Sequence, residues 1–162
     1  MMRAFALSAA ALVLFLAGAA QVPNHVRLPV ATVVPGAIVT QGFGCTTLEL
    51  EPFDASCPTH HTHTGIDLAA PEGSDVHSAT SGSVVTGYDP LGAGNFVAVI
   101  VDRTVRVVYC HLQAFAVRTG DHVVAGEVVG FVGATGLATG PHVHLQVNVD
   151  GVPVDPAKFL AS

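Results

Sequence analysis

Residues 142–149 read "HVHLQVNV", eight residues in which apolar and polar side chains alternate without a break. Successive side chains of an extended strand point to opposite faces. Val143, Leu145, Val147 and Val149 therefore share one apolar face, and His142, His144, Gln146 and Asn148 share the other. A period of two over eight residues predicts a strand with one buried side, and it sets two imidazoles side by side on the opposite side.

The rest of the chain has the same punctuation. From Pro35 onward, short runs rich in valine, isoleucine and threonine are separated by glycine, proline, aspartate or serine, which predicts an all-β, antiparallel domain. The expected strands lie in "AIVTQGF", "SDVHSA", "GSVVTGY", "NFVAVIV", "TVRVVYCHL", "EVVGFVG" and "HVHLQVNV". "VDRTV" reads as a hairpin turn, and "PAKFL" is the one helical turn. In "VVYCHL" the alternation is read with Val108, Cys110 and Leu112 on one face and Val107, Tyr109 and His111 on the other, hiding Cys110 as a small apolar filler and setting His111 opposite it.

The chain has 162 residues, half of them hydrophobic, which provides for one core of ordinary domain size. A net charge of -6 and singly scattered arginines leave no basic face, which argues against nucleic acid as a partner. Residues 1–20 carry one arginine, an apolar run and a small-residue end at Ala17, Gly18 and Ala19. They read as a cleavable signal peptide for export, with a membrane anchor as the competing reading. Residues 21–35, with Pro23 and Pro29, read as an extended leader, and residues 36–162 as the folded domain. With the signal cleaved, no stable membrane insertion is expected. In an oxidising compartment Cys45 and Cys57 are expected to pair, closing a loop at a gain of roughly 2–3 kcal/mol.

Three histidines and a carboxylate lie within residues 60–67 of "THHTHTGIDL", residues 59–68. Gly65 and Pro71 argue against a helix, so His63 and Asp67 belong to a loop entering a strand, with Ile66 and Leu68 inward and Asp67 outward. His-x-x-x-Asp or His-x-His alone arises often by chance. Together, His63, Asp67, His142, His144 and His111 form a set with a joint chemical use. Zinc accepts imidazole nitrogen and carboxylate oxygen, and a catalytic site keeps three protein ligands with one position open. Two histidines with Asp67 supply such a set. The glutamates Glu49, Glu51, Glu72 and Glu127 lie beside no histidine motif, so histidine must do the acid and base work. His60 and His61 are read as loop residues leading into the site; His25, His77 and His122 as exposed; Asn95 as a turn residue; and Gly136, Gly140 and Pro141 as the turn delivering the histidine strand.

"HTGIDLAAPEGSDV", "YCHL", "GDHVVAGEVVGFVGATG" and "ATGPHVHLQV" followed by "GVPVDP" occur in an order that resembles the lysostaphin-type zinc endopeptidases, which cut peptide links in bacterial peptidoglycan. The resemblance runs from about Gly36 to Pro156. It implies a two-sheet sandwich or open barrel of the lysostaphin-like (duplicated hybrid motif) type. It further implies zinc held by His63, Asp67 and His144, with His111 and His142 as non-ligand catalytic histidines. His142 is assigned to proton transfer with the attacking water and His111 to the developing oxyanion, the order of the two being open. The implied substrate is a peptidoglycan stem or bridge peptide, the implied location secreted, periplasmic or cell-wall associated, and the expected state a monomer. The alternative is an inactive lysostaphin-like module that binds wall and regulates other hydrolases. "YCHL" carries cysteine where a small residue such as alanine is common, and "FGC" lacks an arginine often seen after that glycine; neither touches an implied ligand. A lipoyl- or biotinyl-carrier reading of "GDHVVAGEVVG" fails because the lone lysine, Lys158, lies beyond the last strand.

Overall fold

A computed structural model describes residues 26–161. The apolar stretch 1–20 and the first residues of the leader lie outside that range, and with them the signal-peptide reading. In chain order the strands are β1 (Ile38–Gln41), β2 (Gly44–Thr46), β3 (His61–His63), β4 (Ile66–Ala69), β5 (Asp75–His77), β6 (Gly82–Asp89) and β7 (Gly94–Ile100). They continue as β8 (Val105–Leu112), β9 (Ala114–Phe115), β10 (His122–Val123), β11 (Val128–Phe131), β12 (His142–Val149) and β13 (Val152–Val154), before the helical turn α1 (Pro156–Leu160). Every pairing between them is antiparallel.

An eight-stranded sheet runs β1-β4-β12-β8-β7-β6-β10, with β13 paired to β12. A three-stranded sheet, β5-β11-β9, and the ribbon β2-β3 complete the all-β architecture. Each of the seven expected runs contains a strand. The unexpected ones, β2, β3, β9, β10 and β13, are two or three residues long, too short for alternation to register. The expected turn at "VDRTV" is fastened by the Asp102 carboxylate, which accepts from the Thr104 and Val105 amides at 2.7 and 2.9 Å. Valines from both larger sheets, among them Val76, Val84, Val97, Val107, Val129, Val143 and Val147, meet in one buried core with Tyr109, Leu112 and Leu145.

The leader departs from its extended reading. Val30–Thr32 form a 3-10 turn, and Val33 and Val34 are buried in the core. Val33 also accepts the His77 amide through its carbonyl at 2.7 Å. The packed unit thus begins ahead of residue 36, because a pair of adjacent valines suffices to anchor a segment that shows no periodicity. His77 is half-buried rather than exposed, its Nδ1 donating to the Gly126 carbonyl at 2.9 Å; His122 is exposed.

The β12 alternation holds where it matters. Val143, Leu145 and Val147 are fully buried, while His142, His144 and Gln146 are partly exposed on the opposite face. The β8 reading needs correction. Val105, Val107 and Tyr109 point into the core, so Cys110 lies on the opposite face, on the floor of the cleft that His142 and His144 line. His111 should then point to the core. It does not, because Cys110 and His111 together oppose the single residue Phe96: Asn95 pairs Leu112 and Val97 pairs Tyr109. This β-bulge, with His111 at φ 62°, turns the imidazole to the cleft side and returns Leu112 to the core.

Gly65 lets β3 turn into β4 directly over β12. A Cβ on it would overlap the Leu145 carbonyl oxygen and lie 2.7 Å from His144 Nε2. Gly65→Ala is accordingly expected to cost about 1–3 kcal/mol through overpacking, read as a lower urea midpoint of the metal-free protein. A midpoint equal to that of the unsubstituted chain would contradict this packing.

Candidate metal centre

Asp67 and His144 are direct cross-strand partners in the β4–β12 register, with the Asp67 Oδ1 to His144 Nδ1 distance 3.0 Å. His63 enters from β3, whose pairing with β2 sets it opposite Gly44. The ring is completely buried, not on a polar loop surface. Its Nε2 lies 3.2 Å from Asp67 Oδ1 and 2.9 Å from His144 Nδ1. Three ligand atoms thus form a triangle with sides of 2.9 to 3.2 Å.

The outer bonds fix which atoms carry hydrogen. His63 Nδ1 donates to the Gly42 carbonyl at 2.8 Å, and a carbonyl oxygen only accepts, so the neutral ring has a bare lone pair at Nε2. His144 Nε2 donates to Gln146 Oε1 at 3.3 Å, an oxygen that also accepts from Thr64 Oγ1 at 2.8 Å. His144 therefore has its lone pair at Nδ1. With both rings neutral, two nitrogen lone pairs and a carboxylate oxygen converge on one point, an arrangement that repels itself until a proton or a metal cation sits between them. Donors bonded tetrahedrally to zinc at about 2.0–2.1 Å are about 3.3 Å apart, so the triangle fits that ion with little movement.

The titration behaviour agrees. Burial opposes ionisation of Asp67, but hydrogen bonds from His144 and His63, with the charge on those rings, hold its carboxyl well below the usual carboxylate range. Burial also opposes protonation of His63. The Asp67 and Gly42 hydrogen bonds and the nearby carboxylates outweigh it and raise the ring above its ordinary value of 6.5.

Two more imidazoles stand beside the triangle. The His111 ring centroid is 4.7 Å from that of His142, and His142 Nε2 is 3.8 Å from Asp67 Oδ1. Each is aimed by a backbone carbonyl. His111 Nδ1 donates to Thr135 at 2.9 Å, and His142 Nδ1 to Gly140 at 2.8 Å. The left-handed backbone of His111 costs roughly 1–2 kcal/mol; it is held by its own amide, which donates to the Ala93 carbonyl at 2.7 Å, and by Thr135 Oγ1, which donates to the Leu112 carbonyl at 2.8 Å. Asn95 is part of that brace rather than a turn residue, its Nδ2 donating to the Leu112 carbonyl at 3.1 Å. Burial, with smaller repulsion from the His142 and His144 rings, pushes His111 down to about 4. Burial likewise pushes the Cys110 thiol up to about 12, so it is an inert floor residue.

Asp67, His111, His142 and His144 line one cleft of about 400 Å3, and His63, fully buried, reaches Asp67 and His144 from beneath it. Sequence reasoning missed Glu51. Its Oε1 lies 3.9 Å from His63 Nε2 and accepts from Gln41 Nε2 at 3.4 Å. The Cys45–Cys57 disulfide is present, with Cα atoms 5.4 Å apart. It closes the loop that carries Glu51, and that closure beside "HHTH" was the signal available in the sequence. His61 is tied to the same loop, its Nδ1 donating to the Glu51 carbonyl at 2.8 Å.

Comparison with known proteins points the same way. The family model described as Peptidase family M23 matches residues 61–156. The chain is 43% identical over 102 residues to the DD-carboxypeptidase/endopeptidase Mpg of Neisseria gonorrhoeae, covering 61% of this chain and 24% of that protein. It is 37% identical over 106 residues to lysostaphin of Staphylococcus simulans, covering 62% and 22% respectively. The alignments span about a quarter of the length of these curated relatives. Among solved structures, the catalytic domain of the antimicrobial peptidase lysostaphin from Staphylococcus simulans superposes with a TM-score of 0.64 at 31% identity, covering 78% of this chain and 93% of that one. A zinc-containing peptidase from Vibrio cholerae superposes with a TM-score of 0.63 at 32% identity, covering 75% and 36%. With its fold, its convergent donors and its motifs matched over more than half its length, the chain belongs to peptidase family M23.

Proposed function

We propose that this protein is an exported, zinc-dependent endopeptidase that hydrolyses peptide cross-links of bacterial peptidoglycan outside the cytoplasm. The observation carrying this reading is the triangle of His63 Nε2, Asp67 Oδ1 and His144 Nδ1 with two braced, non-ligand histidines on the same cleft. The substrate class rests on relatives named lysostaphin and peptidoglycan DD-endopeptidase, and export on the apolar segment 1–20. A zinc ion held by these three side chains would polarise the scissile carbonyl and acidify a water molecule.

The chain's own groups then handle the protons. His111 is buried with its Nδ1–H committed to Thr135, so the resting ring accepts only at Nε2. It is suited to take the proton of the attacking water. His142, less buried and with Nδ1 committed to Gly140, can present an Nε2–H only when doubly protonated. In that form it would steady the charge developing on the carbonyl oxygen. This reverses the order assigned from sequence, which did not show that His111 is the more deeply buried of the two rings. Breakdown returns the His111 proton to the leaving amine.

Mass spectrometry of defined peptidoglycan after digestion should show cross-linked fragments converted to uncross-linked ones, and chelator should abolish the conversion. Binding to wall without cleavage would favour the regulatory alternative. Alanine at His63, Asp67 or His144 is expected to empty the site of zinc, whereas His111→Ala and His142→Ala should keep zinc and lose about 100-fold or more in turnover. Full activity in either of the latter would remove it from the mechanism. The acidic limb of the kcat/KM profile should disappear in His111→Ala and persist in His142→Ala; the opposite result restores the sequence-based order.

Proton competition gives a further expectation. In the metal-free protein the neighbouring carboxylates raise His63 above its ordinary value, so a proton competes for its Nε2, and the ring's contribution to folding is complete below the unfolded value and lost as pH rises through the folded one. Zinc must displace that proton. The thermal stabilisation produced by added zinc should therefore grow as pH rises from about 5 to 8; a stabilisation independent of pH would argue against imidazole ligands.

A further inference from the structure

The three-ligand motif leaves Glu51 unassigned, yet it brings a second carboxylate to the centre. We propose that Glu51 is an outer carboxylate of the metal site, delivered by the Cys45–Cys57 loop, which raises affinity for the divalent ion and faces the side left open by the three ligands. The inference rests on the zinc-site reading above and extends it to a residue outside the motif.

Position is the first argument. Glu51 Oε1 stands 3.9 Å from His63 Nε2, beyond the 2.9 to 3.2 Å that separate the three ligand atoms. That gap sets Glu51 outside the donor triangle and still close enough to act on an ion there through its charge. Glu51 also lines the same cleft as Asp67 and His144.

Restraint is the second. The loop is fastened to β3, the strand that carries His63, at two places and to the residue before it at a third: His61 Nδ1 donates to the Glu51 carbonyl at 2.8 Å, the Thr62 amide to the Pro52 carbonyl at 3.0 Å, and the Asp54 amide to the His60 carbonyl at 2.8 Å. The disulfide closes it from the far side. Gln41 Nε2 steers the carboxylate itself at 3.4 Å. A loop built only to cover the strand has no need of a steered acid at its inner edge.

Charge is the third. Among the described residues no lysine or arginine lines the cleft. The Glu51 side chain is only 17% exposed. With neutral imidazoles, Asp67 and Glu51 give the site two negative charges, the complement of one divalent cation, and no described lysine or arginine lines the cleft to balance them.

The test is zinc affinity, measured by competition with a chromophoric chelator, together with the visible spectrum of the cobalt(II)-substituted protein. Glu51→Gln keeps the shape and removes the charge. It is expected to weaken zinc binding by about 10–100-fold, the range for groups acting on a metal through its surroundings, and to alter the cobalt bands. Gln41→Ala should weaken binding in the same direction with Glu51 intact. The Cys45→Ser/Cys57→Ser pair should also weaken it, and adding Glu51→Gln to that pair should cost little more. Wild-type zinc affinity and an unchanged cobalt spectrum in Glu51→Gln would overturn the assignment while leaving the three-ligand site standing. A wild-type protein that took up neither metal would overturn both.

Discussion

When both rings are neutral, two imidazole lone pairs and a carboxylate oxygen are held against one another at about hydrogen-bond distance, with no hydrogen of their own to place between them. Such contact is repulsive unless a cation intervenes, and a folded chain tolerates it only where the surrounding structure enforces it. Here the enforcement comes from three directions. The β4–β12 register sets Asp67 opposite His144, the Gly42 carbonyl clamps the far nitrogen of His63, and Gln146, itself braced by Thr64, clamps that of His144. The absence of a side chain at Gly65 gives β3 the room to fold over the pair.

The same logic governs the histidines that are not ligands. His111 reaches the cleft through a bulge, and the bulge is braced by bonds from Thr135 and Asn95 to the Leu112 carbonyl. Both spare rings have one nitrogen tied to a carbonyl, which leaves the other with a defined role. Main-chain oxygen atoms thus fix which nitrogen of each ring is free, as the proposed proton transfer requires.

How much of this was visible in the sequence depended on the kind of order involved. Long alternation in β12 displayed both the core face and the histidine face, because eight residues give the period time to assert itself. Cys45 and Cys57 announced their pairing through spacing and compartment. The β8 parity misled: an alternating pattern cannot show where an extra residue is inserted, so Cys110 was hidden on the wrong face and His111 reached the right one for a reason the pattern did not contain. Val33 and Val34 lacked any period and were passed over as leader. Glu51 is distant in sequence from His144 and lies on a loop of no regular structure, brought near by the disulfide and by hydrogen bonds to residues 60–62 that no sequence period announces. Hydrogen-bond direction, which sets the tautomers of His111 and His142, belongs to main-chain geometry and has no counterpart in residue identity.

The central claim is that one divalent ion completes the repulsive triangle. X-ray absorption at the zinc edge of the metal-loaded protein addresses it most directly. The account predicts a single zinc environment with two imidazole nitrogens and carboxylate or water oxygens at about 2.0–2.2 Å. A spectrum with sulfur in the shell, with one or no imidazole, or with zinc scattered over surface sites would contradict it.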